Sequence, residues 1–194
     1  MPSIRAPLTT SVPRAAMPMM LDAASVLANP AADPIAAVFE FVTLVPQPFW
    51  LLLVLLPKWK GTRVIFEPIW PLALLAVAHS LVVYLSTQGT PDVTAPLDLF
   101  NKLFDAREDG LATYLELGSY KNFAAEEWTH VLIWDLFVGR WIWLDGIKRG
   151  IFTSHSVLMT NLIGPPGLLL HLLTCLALGK GAPDEALESS DGVA

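Results

Sequence analysis

Three of the four histidines in this chain, His79, His130 and His171, stand inside long apolar runs, where an imidazole is a proton carrier, a ligand or a hydrogen-bonding bridge between helices. Glu127 precedes His130 by three residues, so on a helix the two share a face one turn apart. An imidazole beside a carboxylate can pass a proton near neutral pH. Its reference pKa is about 6.5, and the nearby negative charge favours its charged form. Three imidazoles with Glu40 or Glu127 also make a donor set suited to a mononuclear zinc or iron ion with one open position. Carboxylate-bridged centres in bundles need a second Glu-x-x-His pair, and the chain has only one. Interhelical hydrogen bonds account for the same histidines without an ion, and neither metal nor cofactor is expected. Asp135 lies about 140° around a helix from His130 and faces a different neighbour. At that depth its carboxyl is protonated or hydrogen-bonded across a helix boundary. Arg140 is placed to snorkel to the surface or to reach Glu67.

Composition sets the elements that must hold these groups. The 194 residues are 54% hydrophobic and 15% charged, with mean hydropathy +0.52, whereas a soluble domain carries about a quarter of its residues as charges. Four segments, 35–56, 65–85, 125–144 and 157–178, approach the about 20 apolar residues needed to cross a hydrocarbon layer. The expected fold is all-α: an integral membrane four-helix bundle with an interfacial amphipathic helix between helices two and three. With alternate spans antiparallel and a rise of 1.5 Å per residue, His79, His130, His171 and Glu40 all fall roughly 5 to 7 Å from the midplane, in one polar layer. Lys58, Lys60, Arg63, Lys148 and Arg149 occupy the two short links, and the long link is acid-rich. The positive-inside bias therefore places the short links on the cytosolic or stromal side, and the termini and long link opposite.

The link 87–123 alternates Leu97, Phe100, Leu103, Phe104, Leu111, Tyr114 and Leu115 with charges, the pattern of an interfacial helix with a break near Gly110. Asp105, Asp109, Gly110 and Glu116 match positions of a calcium loop, but Arg107 puts a cation at a ligand position. Residues 1–28 read as an organelle transit segment or a disordered tail, 29–179 as the membrane domain, and 180–194 as an acidic disordered tail. With 18 acids against 12 bases and no polybasic run, no nucleic-acid partner is expected. One cysteine, Cys175, excludes an internal disulfide, a zinc ribbon and an iron–sulfur cluster built from this chain alone. Pro165 and Pro166 near the middle of the fourth span, and Pro46 and Pro48 in the first, release helical carbonyls, and two facing kinks would outline an internal pocket. Trp50 and Trp134 lie deeper than the other tryptophans and are the aromatic residues placed to line it.

The string Trp128-x-His130-x-x-x-x-Asp135-Leu136-Phe137-x-x-Arg140, followed by Asp145-Gly146, His155-Ser156-Val157, Gly164-Pro165-x-Gly167 and His171, resembles the abscisic-acid-deficient-four family. These are small plastid membrane proteins needed for neoxanthin synthesis, with relatives in algae and bacteria. Pro48-Phe49-Trp50 and Pro57 fit as well, and the resemblance covers residues 35 to about 178. It implies action on a xanthophyll in a membrane, with an epoxide opened and an allene formed without net redox change, which agrees with the absence of a nicotinamide or flavin motif. Such a step needs an acid for the epoxide oxygen and a base for a carbon-bound proton. His130, Glu127, Asp135, Arg140 and His171 are the expected catalytic set, with Glu40, Trp50, His79, Trp134, Asn161 and Pro165 lining the substrate site. The expected partners are a carotenoid substrate or bound pigment, membrane lipid, and other carotenoid enzymes or antenna proteins. The expected location is the plastid envelope or thylakoid, or a bacterial inner membrane if 1–28 is not a transit segment. A non-catalytic pigment-holding or assembly subunit would need the same apolar groove without the polar layer.

Overall fold

The structure is a computed structural model that describes residues 33–181, so both the segment 1–28 and the tail beyond 181 lie outside the described residues. Its regular elements are all helices: α1 (Pro34–Leu44), α2 (Pro46–Leu55), α3 (Lys60–Phe66), α4 (Trp70–Thr87), α5 (Leu97–Leu103), α6 (Gly110–Leu117), α7 (Lys121–Arg149), α8 (Ser154–Ile163) and α9 (Pro165–Ala177). The chain is thus all-α, as its hydropathy pattern predicts. Val45 keeps helical dihedrals, so α1 and α2 form one rod interrupted where Pro46 lacks an N–H. That rod, Pro34–Leu55, and α4 are the two helices among the described residues that are long and apolar enough to cross a membrane.

The 29-residue α7 is the axis of the molecule. It stops at Gly150, whose φ of 66° is a left-handed cap that glycine adopts without strain, with Lys148 and Arg149 facing the negative end of the helix dipole. The α1–α2 rod runs parallel to it. Asp33 pairs with Lys121, Trp128 Nε1 donates to Thr43 Oγ1 at 2.9 Å, and Trp143 Nε1 donates to Pro57 O at 2.8 Å. Helix α4 runs antiparallel to α7 and packs on both α7 and α1, joined at His79–Thr129 and, beyond its end, by Asn122 N donating to Val93 O. Trp50, Leu53, Phe66, Leu75, Leu136, Ile142 and Trp143 fill the centre. Helices α2 and α7 meet closely at Gly139, where any Cβ would overlap the Trp50 ring.

The long link holds two short helices, the second starting at Gly110, where the sequence pattern places a break. Helices α5 and α6 pack on the start of α7 through Leu99, Leu117 and Phe123 and leave Leu97, Phe104 and Leu111 strongly exposed. Arg107 grips Asp105 through Nε and Nη2 at 2.9 and 2.6 Å, holding that carboxyl below the usual carboxylate range, and Asp109 caps α6 by accepting from Ala112 N at 3.0 Å. Two of the carboxylates in the calcium-loop pattern therefore already have other partners.

The fourth segment departs from expectation. A single proline-kinked span over 157–178 is replaced by a helical hairpin. Gly164 has φ 69° and ψ −118°, a conformation closed to other residues, and there the chain reverses. Helix α9 returns along α8 in antiparallel register. His155 Nε2 lies 3.0 Å from Thr174 Oγ1, and Gly167 packs so closely on Thr160 and Ser156 that a Cβ has no room. Pro165 and Pro166 therefore open a new helix, a position where their missing N–H groups cost nothing, and do not kink an old one. Arg149 Nη2 donates to the carbonyls of Lys180 and Gly181 at 2.7 and 3.0 Å, which brings the end of α9 back beside the end of α7. Residue 180 thus lies at the same end of the molecule as the basic links, the reverse of the expected placement. The two apolar arms were read as one span because their summed length matches a membrane crossing.

Candidate functional site

A groove of about 450 Å³ opens on the outer face between α4 and α7. Ile69, Leu72, Ala73, Ala76, His79 and Ser80 line it from one side, and His130, Ile133, Trp134 and Phe137 from the other. Ala73 and Ala76 make the space, being small residues on a helix otherwise rich in leucine and valine. Phe137 stacks edge-on to Trp134 with centroids 5.6 Å apart, forming an aromatic wall. The walls are apolar, and the polar groups gather at one end. There the rings of His79 and His130 are 5.9 Å apart, and His130 also meets Trp134 at 6.3 Å. His79 Nδ1 lies 2.8 Å from Thr129 Oγ1, and that hydroxyl donates to Glu126 O at 3.1 Å. This arrangement can bind an elongated apolar molecule with an oxygenated end and exchange a proton with it.

The structure brings together only part of the predicted set. His79, His130 and Trp134 share the groove, and Glu127 is half-buried one turn along α7 from His130, although no hydrogen bond joins the two among the described residues. Glu40 is half-buried on α1 with no hydrogen bond to either histidine. Trp50 is 3% exposed and packed in the core against Gly139, so it does not line the groove. Asp135 turns away from the groove to the hairpin tip, its Oδ1 only 3.0 Å from where a Gly164 Cβ would sit. It thus stands at the amino end of α9, where the helix dipole favours a carboxylate. Asn161 and Pro165 sit in the same hairpin, next to the turn. Arg140 donates from Nε to Phe66 O and from Nη2 to Glu67 O, both at 2.6 Å, closing the end of α3, and the Glu67 carboxylate pairs with Arg63 instead.

His171 leaves the polar layer altogether, because the chain reversal puts it level with Trp141 and Asp145 rather than His130. It is fully buried, with Nε2 2.8 Å from Asp145 Oδ2 and 3.7 Å from Cys175 Sγ. Asp145, His171 and Cys175 bring an oxygen, a nitrogen and a sulfur donor within 4.8 Å of one another, a set able to hold zinc. However, Arg149 Nη1 already lies 3.3 Å from Asp145 Oδ2 and 3.6 Å from Cys175 Sγ, so a guanidinium stands where a cation would go. Sequence reading gave no role to Thr129, Asp145 or Phe137. A threonine facing inward next to His130 and a charge four residues before Arg149 were the available signals.

A helical protein with an open apolar groove and paired histidines at one end is the class that geometry defines. The ABA DEFICIENT 4-like family model matches residues 37–171, and the chain belongs to that family. It is 31% identical over 139 residues to Protein ABA DEFICIENT 4, chloroplastic, of Arabidopsis thaliana, a match that covers 72% of this chain. The chain spans only 60% of the length of that relative. No solved structure matches the chain.

Proposed function

We propose that the protein is embedded in a plastid or bacterial membrane and isomerises an epoxy-xanthophyll to an allenic product of neoxanthin type. Support for the membrane comes from the exposed apolar belt. Leu44, Leu55, Val64, Val77, Leu162 and Leu173 are each more than half exposed, which lipid tolerates and water does not. The α1–α2 rod, α4 and α7 would cross the bilayer, and the α8–α9 hairpin would enter from the basic side and turn near its middle, where Asp135 marks the centre of α7. Non-helical backbone at such depth requires burial in protein, and Gly164 is buried against α7.

The observation that carries the catalytic reading is the meeting of His79 and His130, from two different helices, at one end of an apolar groove that is open on the lipid-facing side. An end ring enters the groove while the polyene extends along the apolar surface. One imidazole protonates the epoxide oxygen as its C–O bond breaks. The other removes a proton from carbon, and an allenic alcohol of unchanged formula results. Glu127 stands one turn along α7 from His130, on the same face. The relative's printed name, with its chloroplast location, supports the plastid setting.

The test is expression in bacteria that accumulate epoxy-xanthophylls, with pigments separated by chromatography. A new isomeric pigment is expected with the natural chain, and none with His79→Ala or His130→Ala at equal membrane abundance. Co-purification of unchanged pigment with all three proteins would replace the enzyme by a pigment-holding subunit.

A further inference from the structure

The hydrogen-bond chain behind His79 determines more than its position. Thr129 is fully buried and its hydroxyl, with a single hydrogen, lies 3.1 Å from Glu126 O, which can only accept, and 2.8 Å from His79 Nδ1, which can do either. When the hydrogen goes to the carbonyl, the hydroxyl oxygen meets Nδ1 as an acceptor and the imidazole proton sits on Nδ1. The other nitrogen, Nε2, has no protein partner among the described residues and is not among the buried unpaired atoms, so it reaches the groove. We propose that Thr129 holds His79 as the Nδ1–H tautomer, so that Nε2 offers the groove a lone pair that accepts a hydrogen bond from a ligand hydroxyl. Thr129 is a positioning residue: it fixes the direction of the bond, the ligand hydroxyl donating to Nε2, while the imidazole itself favours a hydroxylated end ring over a hydrocarbon one. This rests on the carotenoid reading for the ligand, but not for the tautomer.

His130 across the groove and Glu127 beside it are the titratable groups facing the ring from α7. Neither supplies a hydrogen bond to Nδ1, which leaves Thr129 as the group that decides where the proton sits.

Long-range ¹H–¹⁵N spectra of the full chain in detergent, with labelled histidine and the His79 signals assigned by their loss in His79→Gln, read the tautomer directly. A protonated, pyrrole-type Nδ1 and a bare, pyridine-type Nε2 are expected. Thr129→Val should move population to the Nε2–H form, and Thr129→Ser should restore the original spectrum. A bare Nδ1 in the natural chain, two protonated nitrogens, or spectra indifferent to Thr129→Val would overturn the assignment. Binding of zeaxanthin, which carries ring hydroxyls, is expected to be about tenfold tighter than that of β-carotene, which lacks them, with the gap closed in His79→Phe. Equal binding of both by the natural chain would overturn hydroxyl recognition. If neither binds while the spectra behave as expected, the carotenoid reading falls and the tautomer stands.

Discussion

The two histidine sites in this molecule are built oppositely. At the groove, His130 is exposed, His79 is half-buried, and their only side-chain hydrogen bond among the described residues runs back through Thr129, so polar atoms are left facing outward. At the α7–α9 contact, His171 is sealed from solvent and engages Asp145, which also takes Arg149, while Arg149 reaches on to the carbonyls that end the hairpin. One site leaves its rings open to the groove, and the other joins two helices through His171 Nε2 while sealing Nδ1 from solvent without a partner among the described residues. Which of these a histidine does depends on whether the fold opens its ring to a groove or encloses it.

That contrast is most easily broken at Asp145. Asp145→Ala leaves Arg149 and His171 without their shared carboxylate, and removing one member of such a buried group costs about 3–5 kcal/mol. Membrane abundance and the thermal midpoint in detergent should both fall sharply, while whatever folded protein survives keeps its product yield per molecule. A loss of yield at normal abundance would move His171 into the chemistry.

The hairpin gives the next effect. Gly164→Ala forces a side chain into a conformation that costs about 1–3 kcal/mol and pushes it toward Asp135. The thermal midpoint should drop, and labelling single cysteines in a Cys175→Ser background should place positions 60, 148 and 180 on one face of the membrane and 109 on the other. Labelling of 180 together with 109 would restore a complete fourth span.

At the groove the balance reverses. His130→Ala should change stability by no more than about 0.5 kcal/mol, since the ring is exposed, while abolishing product. Ala76→Leu should do the same by filling the space that small residues leave, and retained turnover in that variant would show that the substrate lies elsewhere.

How much of this was legible in the sequence depended on whether one helix or several decided the matter. The helical class, the first two membrane-length helices and the pairing of His79 with His130 follow from hydropathy and from counting residues along antiparallel rods. The reversal at Gly164 does not, because Gly-Pro-Pro-Gly inside an apolar run reads equally as a kink, and only the fit of Gly167 against Thr160 and Ser156 makes the turn the lower-energy choice. A fourth span drawn without the reversal carries His171 up to the level of His130, whereas the hairpin sets it beside Asp145.

The smallest expected effect separates two ways of anchoring an arginine. Sequence spacing invites an Arg140–Glu67 ion pair, but Arg140 holds the backbone carbonyls of Phe66 and Glu67, and the Glu67 carboxylate turns to Arg63 on a surface about half exposed. An exposed i, i+4 pair of that kind contributes about 0.3–0.5 kcal/mol and is screened by salt. Glu67→Gln should therefore shift the thermal midpoint only slightly, and less in high salt, with product unchanged. Arg140→Gln, by contrast, leaves the carbonyls at the end of α3 without donors and should destabilise by more than the glutamate change at every salt concentration. Equal, salt-sensitive losses in the two variants would mean that the side chains pair after all, and that the end of α3 is held by charge and not by its carbonyls.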